Sequence, residues 1–222
     1  MAHYRPDPDL DAYEAENAFY LKSHPSRIAK LLAHYELYRM ITDLPGAVIE
    51  AGVYKGASLM RFAAFRATLE NDYSRPLIGF DAFGSFPRTD ISGEDDLDFI
   101  DRFENAGGPG IAKDDLATLV EKKGYANLEL HEGDLFETLP AFLRQNPATK
   151  VALLHLDLDV YEPTAFALEA LAPHMVKRGL IVLDDYGLVK GATKAADELC
   201  EARNLELRKL SNYQIPAYIV MP

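Results

Sequence analysis

Cysteine is almost missing from this chain. Cys200 stands alone among 222 residues, which excludes an intrachain disulfide framework and agrees with a reducing compartment. Long apolar runs are missing too. Nothing approaches the roughly 18 apolar residues of a membrane span, and no positively flanked apolar segment opens the chain. Neither a bilayer nor a secretory route is expected, and a cytoplasmic location is. Cations are scarce, with 23 Lys and Arg against 35 Asp and Glu and a net charge of −12. Nucleic acid and anionic membranes select for basic patches, so neither is expected as a partner. No internal repeat or low-complexity tract stands out. What is present is 48% apolar residues, enough for one sizeable core, and one domain over residues 1–222 is expected.

The chain is organised around residues 48–58, Val-Ile-Glu-Ala-Gly-Val-Tyr-Lys-Gly-Ala-Ser. An apolar run ends in an acid, two glycines make a short turn, and a helical pattern follows; this predicts a central strand, a tight turn and a helix start. A helix N-terminus offers free backbone N–H groups, and glycines let a ligand approach the backbone, which suits a nucleotide-like ligand. Residues 78–81, Ile-Gly-Phe-Asp, form a second apolar run closing on an acid about 30 residues later, where a doubly wound fold places the carboxylate that accepts ribose hydroxyls. The glycine spacing is E-x-G-x-x-x-G instead of G-x-G-x-x-G, which disfavours an NAD-dependent oxidoreductase.

With these residues in hand a resemblance emerges. Glu50, Gly52, Tyr54, Gly56 and Ser58 resemble the first motif of the metal-dependent O-methyltransferases typified by catechol O-methyltransferase. Residues 45–50, 80–87, 156–164 and 183–186 extend the likeness to the macrocin O-methyltransferase family, from about Pro25 to the C-terminus. The resemblance implies the α/β, doubly wound, Rossmann-like seven-stranded sheet of class I methyltransferases, its last strand antiparallel, with an N-terminal helix and a lid insertion. It also implies S-adenosylmethionine and Mg²⁺ as cofactors and a small hydroxylated acceptor, most readily a sugar or a sugar-bearing natural product. A catechol-type acceptor, and a donor-binding protein without methyl transfer, are the alternatives.

In chain order, residues 1–23 are polar and acidic and read as an N-terminal arm; Tyr13, Phe19 and Tyr20 would pack over an active site or a neighbouring subunit if the arm is more than a partly ordered tail. Ser26 is a helix cap candidate for an apolar pattern running to Ile41, a helix that covers the sheet and would suit a dimer contact. His24 and His34 in this stretch read as surface or satisfied residues. Strands are expected at residues 47–51 and 77–81. Phe83 follows the ribose acid and could lie on an adenine or in the core. Residues 87–112 are acidic, glycine-rich and too long for an ordinary connection, and read as a solvated loop or a lid; the resemblance favours the lid. Residues 127–134 read as a third strand continued by 135–140, with Asp134 either a turn former or, as the resemblance implies, the adenine reader.

Two further apolar strands end in acids, residues 151–156 before Asp157 and Asp159, and 180–183 before Asp184 and Asp185. In an open parallel sheet ligands collect beyond the carboxyl ends of the strands, so these acids converge on the edge that holds Glu50 and Asp81. Such a cluster repels itself unless a cation sits in it, and Mg²⁺, which takes oxygen ligands, is the natural answer. The resemblance assigns the ligand set to Asp157, Asp184 and Asp185, while Asp159 reads equally as a cap for the helix that follows. The insertion lacks the histidine that some sugar-modifying relatives use as a base. Asp157, His155 and Lys190 are therefore the candidates for proton removal. Residues 163–176 are expected as a helix ended by Lys177, Arg178 and Gly179, residues 192–202 as another, and 205–210 with 215–221 as a closing hairpin in which Pro216 marks an edge or bulge.

Overall fold

Strands buried along their whole length must have both faces covered, and in this sequence that dictates a parallel sheet wrapped by helices. The computed structural model describes residues 3–7 and 9–222. The elements run α1 (Ala12–Lys22), α2 (Pro25–Arg39), β1 (Ala47–Ala51), α3 (Ala57–Leu69), β2 (Leu77–Asp81), α4 (Glu94–Gly107) and α5 (Lys113–Lys122). They continue with β3 (Leu128–Glu132), α6 (Leu135–Gln145), β4 (Val151–Leu156), α7 (Tyr161–Leu171), β5 (Met175–Leu183), α8 (Lys190–Arg203), β6 (Leu207–Lys209) and β7 (Ala217–Val220). The seven strands order as β3-β2-β1-β4-β5-β7-β6. All neighbours from β3 to β5 pair in parallel, and β7 runs antiparallel between β5 and β6. The expected doubly wound sheet with an antiparallel last strand is the fold observed.

Alternation along the strands sorts the two cores. Val48, Leu77, Leu153 and Val182 face α2, α3 and α5, packing with Leu37, Tyr38, Phe62 and Leu116. Ile49, Ile78, Leu154 and Ile181 face α6, α7 and α8, against Leu139, Phe142, Leu168 and Ala196. Strand order reverses between β1 and β4, so a crevice opens beyond their carboxyl ends, where a doubly wound fold binds its ligands.

Six local expectations are corrected. The first arm contains α1, which Asp11 caps by accepting from the N–H groups of Tyr13 and Glu14. No residue of α1 is buried, and Tyr13 and Tyr20 are 77% and 60% exposed, so neither packs over a site of this chain. Residues 135–140 do not extend β3; Asp134 accepts from Phe136 N–H and starts α6, which tolerates Pro140 within it. The helix expected to end at Lys177–Gly179 stops at Leu171 in a 3₁₀ turn carrying Pro173, and Lys177 and Arg178 lie inside β5. The last helix begins at Lys190, not at Ala192. Pro216 follows a cis peptide bond and leads into β7, an inner strand, so it marks neither an edge nor a bulge.

The sixth correction concerns the acidic stretch of residues 87–112, which is neither loop nor fully solvated. Most of it is α4. Ile91 and Ile100 pack with Val160, supported by Phe86, Leu97 and Phe99. Asp96, 6% exposed, accepts from the backbone N–H of Tyr161 at 2.8 Å. That N–H opens α7, whose own N-cap residue, Val160, supplies no side-chain bond. The acid that caps α7 therefore comes from α4 and not from Asp159.

At the opposite end of the sheet two buried arginines tie the loops. Arg66, with no exposed surface, donates to the carbonyls of Arg75, Ala126 and Asn127 and to Asp72. Arg75 donates to Glu70 and to the carbonyls of Ile41, Leu44 and Gly46. Arg66→Met leaves those acceptors unpaired in the interior, and urea unfolding is expected to show a loss of about 3–5 kcal/mol. Gly52, at φ +88°, lies so close to β4 that a Cβ would sit 1.9 Å from the carbonyl oxygen of Asp157. Gly52→Ala should cost at least about 1–3 kcal/mol in the same measurement, because positive-φ strain adds to a clash with backbone that no rotamer relieves.

Candidate active site

Parallel hydrogen bonding carries the sheet register one residue past each strand and thereby delivers the acids to a common edge. Gly52 N–H donates to Phe80 carbonyl at 2.9 Å, Asp157 N–H to Ala51 carbonyl at 3.0 Å and Asp184 N–H to Leu156 carbonyl at 3.0 Å. Above this edge lies a cavity of about 620 Å³, roofed by residues 84–87 and 90–91 with Phe103 and Glu104. Gly52, Tyr54, Ser58, Asp81, Asp134, Asp157, Asp184 and Asp185 all line it, so the structure brings most of the expected site residues together.

One side of the cavity belongs to the β1–α3 turn. Asp81 Oδ2 accepts from the N–H groups of Val53 at 2.7 Å and Tyr54 at 2.9 Å, and its Oδ1 from Phe83 at 2.6 Å. These bonds fix the carboxylate and leave it one lone pair on Oδ1, with the first turn of α3 open beside it at Ala57 and Ser58. Gly56 caps α3 at φ +81° and faces Leu116, where a Cβ would be 2.8 Å from Cδ1; its part is to shape the turn. Three of the expected residues are held by contacts within the protein, and Phe83 takes the core alternative. Phe83 is 2% exposed in the core beneath the cavity. Glu50 is wholly buried and bonded to His155 at 2.9 Å. Tyr54 lines the cavity, but its hydroxyl donates to Gly107 carbonyl at 2.6 Å and so holds the end of α4.

The other side is the acid cluster. Asp157, Asp184 and Asp185 each present an oxygen, and these lie within 4.8 Å of one another. Burial, then the charges of Asp184 and Asp185, push the Asp157 carboxyl well above the usual range. Burial, then Asp159 and Asp184, does the same to Asp185. Asp184 goes the other way. Burial opposes its ionisation, yet His155, His34 and the Lys30 ammonium hold it well below the usual range. Nε2 of each histidine stands 3.6 Å from Asp184 Oδ1, too long for a full hydrogen bond, yet near enough for the charge of His155 and the N–H dipole of His34 to act. His155 is raised to about 10 against the opposition of burial, because Asp184 and Glu50 both favour its cation. His34 is lowered to about 3, mainly by burial, and its Nδ1 takes an N–H from Arg61 at 3.0 Å. The neutral ring therefore carries its proton on Nε2, toward Asp184. As a set of hard oxygen donors open to the cavity, the three acids could hold one divalent cation.

Two of the expected proton acceptors do not reach the cavity. His155 lies fully buried behind Asp184. Lys190 is 82% exposed and pairs with Asp95 at 2.5 Å, outside the lining. Asp159, which read as a helix cap, instead lines the cavity at φ +64°, and its N–H donates to Asp185 at 3.0 Å. Burial first and then Asp157 raise its carboxyl to about 8. The cations Arg27 and Lys30 of α2 and Arg61 of α3 also line the wall and were missed. Their signal was present as Arg27, Lys30 and His34 at i, i+3 and i+7, a polar stripe on one face of an otherwise apolar helix.

The chain matches the family model for macrocin O-methyltransferase (TylF) over residues 26–212. Against 8-demethyl-8-(2,3-dimethoxy-alpha-L-rhamnosyl)-tetracenomycin-C 4'-O-methyltransferase of Streptomyces olivaceus it is 28% identical over 152 residues, 65% of this chain. That match spans about half, 54%, of the relative's length. Among solved structures, CalS11, a calicheamicin methyltransferase, superposes with a TM-score of 0.76 at 29% identity over 96% of this chain and 87% of that one. Its apo form, described as TDP-rhamnose 3'-O-methyltransferase, gives 0.67 at 30% identity over 96% and 88%. The O-methyltransferase NovP shares the fold, with a TM-score of 0.74 at 20% identity over 87% and 80%. Since the family model covers six of the seven strands, both sides of the cavity and the acid cluster, the chain belongs to the macrocin O-methyltransferase family.

Proposed function

We propose that this chain transfers a methyl group from S-adenosylmethionine to a hydroxyl of a sugar, free as a nucleotide sugar or already attached to a natural product, with Mg²⁺ bound at Asp157, Asp184 and Asp185. The observation that carries the reading is the convergence of those three carboxylates on one edge of the cavity whose other edge holds Asp81 and the β1–α3 turn. The relatives' names add the sugar, since one is described as acting on TDP-rhamnose and one on a rhamnosyl tetracenomycin.

Asp81, already fixed by three backbone N–H groups, has capacity left to accept from the donor's ribose, and Asp134 faces the same space to accept from the adenine amino group. S-adenosylmethionine supplies the electrophilic methyl on a sulfonium, a cation that an acid-lined wall favours. Mg²⁺, when bound, supplies a Lewis acid that lowers the pKa of an acceptor hydroxyl. The protein's own part is position and charge. Asp184 is held ionised by His155, His34 and Lys30, while Asp157 and Asp185, uncompensated in the protein alone, fit a site completed by a cation. Asp159 lines the cavity two residues from Asp157 and, of the carboxylates outside the ligand set, is the one whose backbone N–H bonds a proposed ligand, Asp185, so it takes the hydroxyl proton at a carboxylate oxygen. Residues 87–112 serve as the lid of a single domain, excluding water from the transfer. Support for this comes from Ile91, which lies in the roof, and from the tie between Asp96 and Tyr161.

Titration of S-adenosylhomocysteine into the metal-stripped protein should show one site per chain, and steady-state transfer to dTDP-rhamnose or a rhamnosylated aglycone should require added Mg²⁺. Asp185→Asn keeps the shape and the acceptor for Asp159 N–H, so it should bind S-adenosylhomocysteine as the parent does. Its kcat/KM should fall by about 100-fold or more, the several kcal/mol that a Lewis acid contributes. Full activity in that variant removes the metal assignment. Failure of the parent to bind S-adenosylhomocysteine removes the donor.

A further inference from the structure

Four cations line the cavity: Arg27, Lys30, Lys55 and Arg61. Two are spent. Lys30 pairs with Asp184, and Lys55 donates to Gly107 carbonyl at 2.7 Å. The other two are not. Neither Arg27 nor Arg61 forms a salt bridge among the described residues, although acids crowd the same wall and the chain carries a net charge of −12. Arg61 gives one N–H to His34 Nδ1, a neutral acceptor, and Arg27, exposed at the cavity mouth, gives none to a side chain. The two guanidinium groups also oppose each other: after burial, the charge of Arg27 is the largest influence lowering the pKa of Arg61. Asp184 and Glu50 act on Arg61 only from a distance, and in a chain so rich in carboxylates two like charges with no described carboxylate at salt-bridge distance call for an anionic ligand.

We propose that Arg27 and Arg61 form an oxyanion subsite of the cavity, reading a carboxylate or a phosphate borne by a ligand that fills it. The guanidinium fork suits both groups, since each offers paired oxygens to paired N–H donors. Within the methyltransferase reading, on which the identity of the ligand rests, two sources exist. One is the amino-acid carboxylate of the methyl donor, because Ser58 and Arg61 stand one turn apart on α3 and both line the cavity. The other is the diphosphate of a nucleotide-sugar acceptor. A neutral glycoside acceptor would leave the subsite to the donor alone.

Arg27→Met is the clean variant, because Arg27 holds no other side chain in place; Arg61→Met serves as a second, with circular dichroism and urea unfolding to show that it folds. Calorimetry on the metal-stripped proteins compares S-adenosylhomocysteine with 5'-methylthioadenosine, which lacks the carboxylate. Binding of the first weakened about 10-fold or more, with the second unchanged, assigns the subsite to the donor; a charge-assisted bidentate contact is worth this much. Unchanged S-adenosylhomocysteine binding with KM for dTDP-rhamnose raised about 10-fold, and kcat little altered, assigns it to the acceptor. Unchanged values for both ligands overturn the subsite. If the parent protein binds no S-adenosylhomocysteine, the methyltransferase reading fails by itself, and inorganic pyrophosphate titrated into parent and Arg27→Met decides the subsite. Heat that the variant loses upholds it, and equal traces remove it.

Discussion

Buried negative charge is the constraint on which the rest of this structure depends. Three strands deliver aspartates to one edge, and an ionised carboxylate taken from water costs several kcal/mol unless something compensates it. The compensation is uneven. Asp184 receives Lys30 from α2, His34 from the same helix and His155 from the neighbouring strand, while Asp157 has only the more distant charges of Lys30 and His155, and Asp185 has Lys30 and one N–H from Asp159. His155 is itself held cationic by Glu50. Glu50 is thus two steps from the cavity, and its role is to charge the histidine that keeps one aspartate ionised.

Seen this way, α2 is more than a cover for the sheet. Its apolar face, with Ala33, Leu37 and Tyr38, packs on α3 and the strands. Its polar stripe reaches over the sheet edge with Arg27, Lys30 and His34. Packing sets the helix, and the helix sets the charge at the acid cluster. A shift of α2 would therefore alter the electrostatics of Asp184 without touching any strand.

The strands were legible in the sequence because their signal is local: an apolar run, a glycine turn, an acid at the end. Asp81, Asp157, Asp184 and Asp185 fell where the pattern placed them, since a parallel register must bring the ends of neighbouring strands level. What was not legible depends on pairing across long separations. Asp96 caps a helix 65 residues away, a relation that no local pattern carries. Phe83 and Glu50 sit in motifs yet face the interior, because a motif gives the residue and only packing gives its direction. The helical fate of residues 135–140 was readable, since an aspartate before an apolar stretch is a cap signal, but Pro140 masked it.

Tyr54 shows how these parts act together. Its backbone N–H holds Asp81, the acid on the β1–α3 side of the cavity, while its hydroxyl holds Gly107 at the end of α4. Lys55, the next residue, bonds the same carbonyl. The other end of the roof is tied to the start of α7 by Asp96 and by Glu162, which accepts from Ser92. The span that covers the cavity is thus pinned at one end to the β1–α3 turn and at the other to the helix that follows the Asp157 strand. Any ligand that moves the turn must pull on the roof, and any change in the roof is felt at Asp81. Ser85 and Asp90 precede both anchors in the chain and line the cavity with the acids. An acceptor placed there is enclosed by a segment whose position depends on both sides of the site.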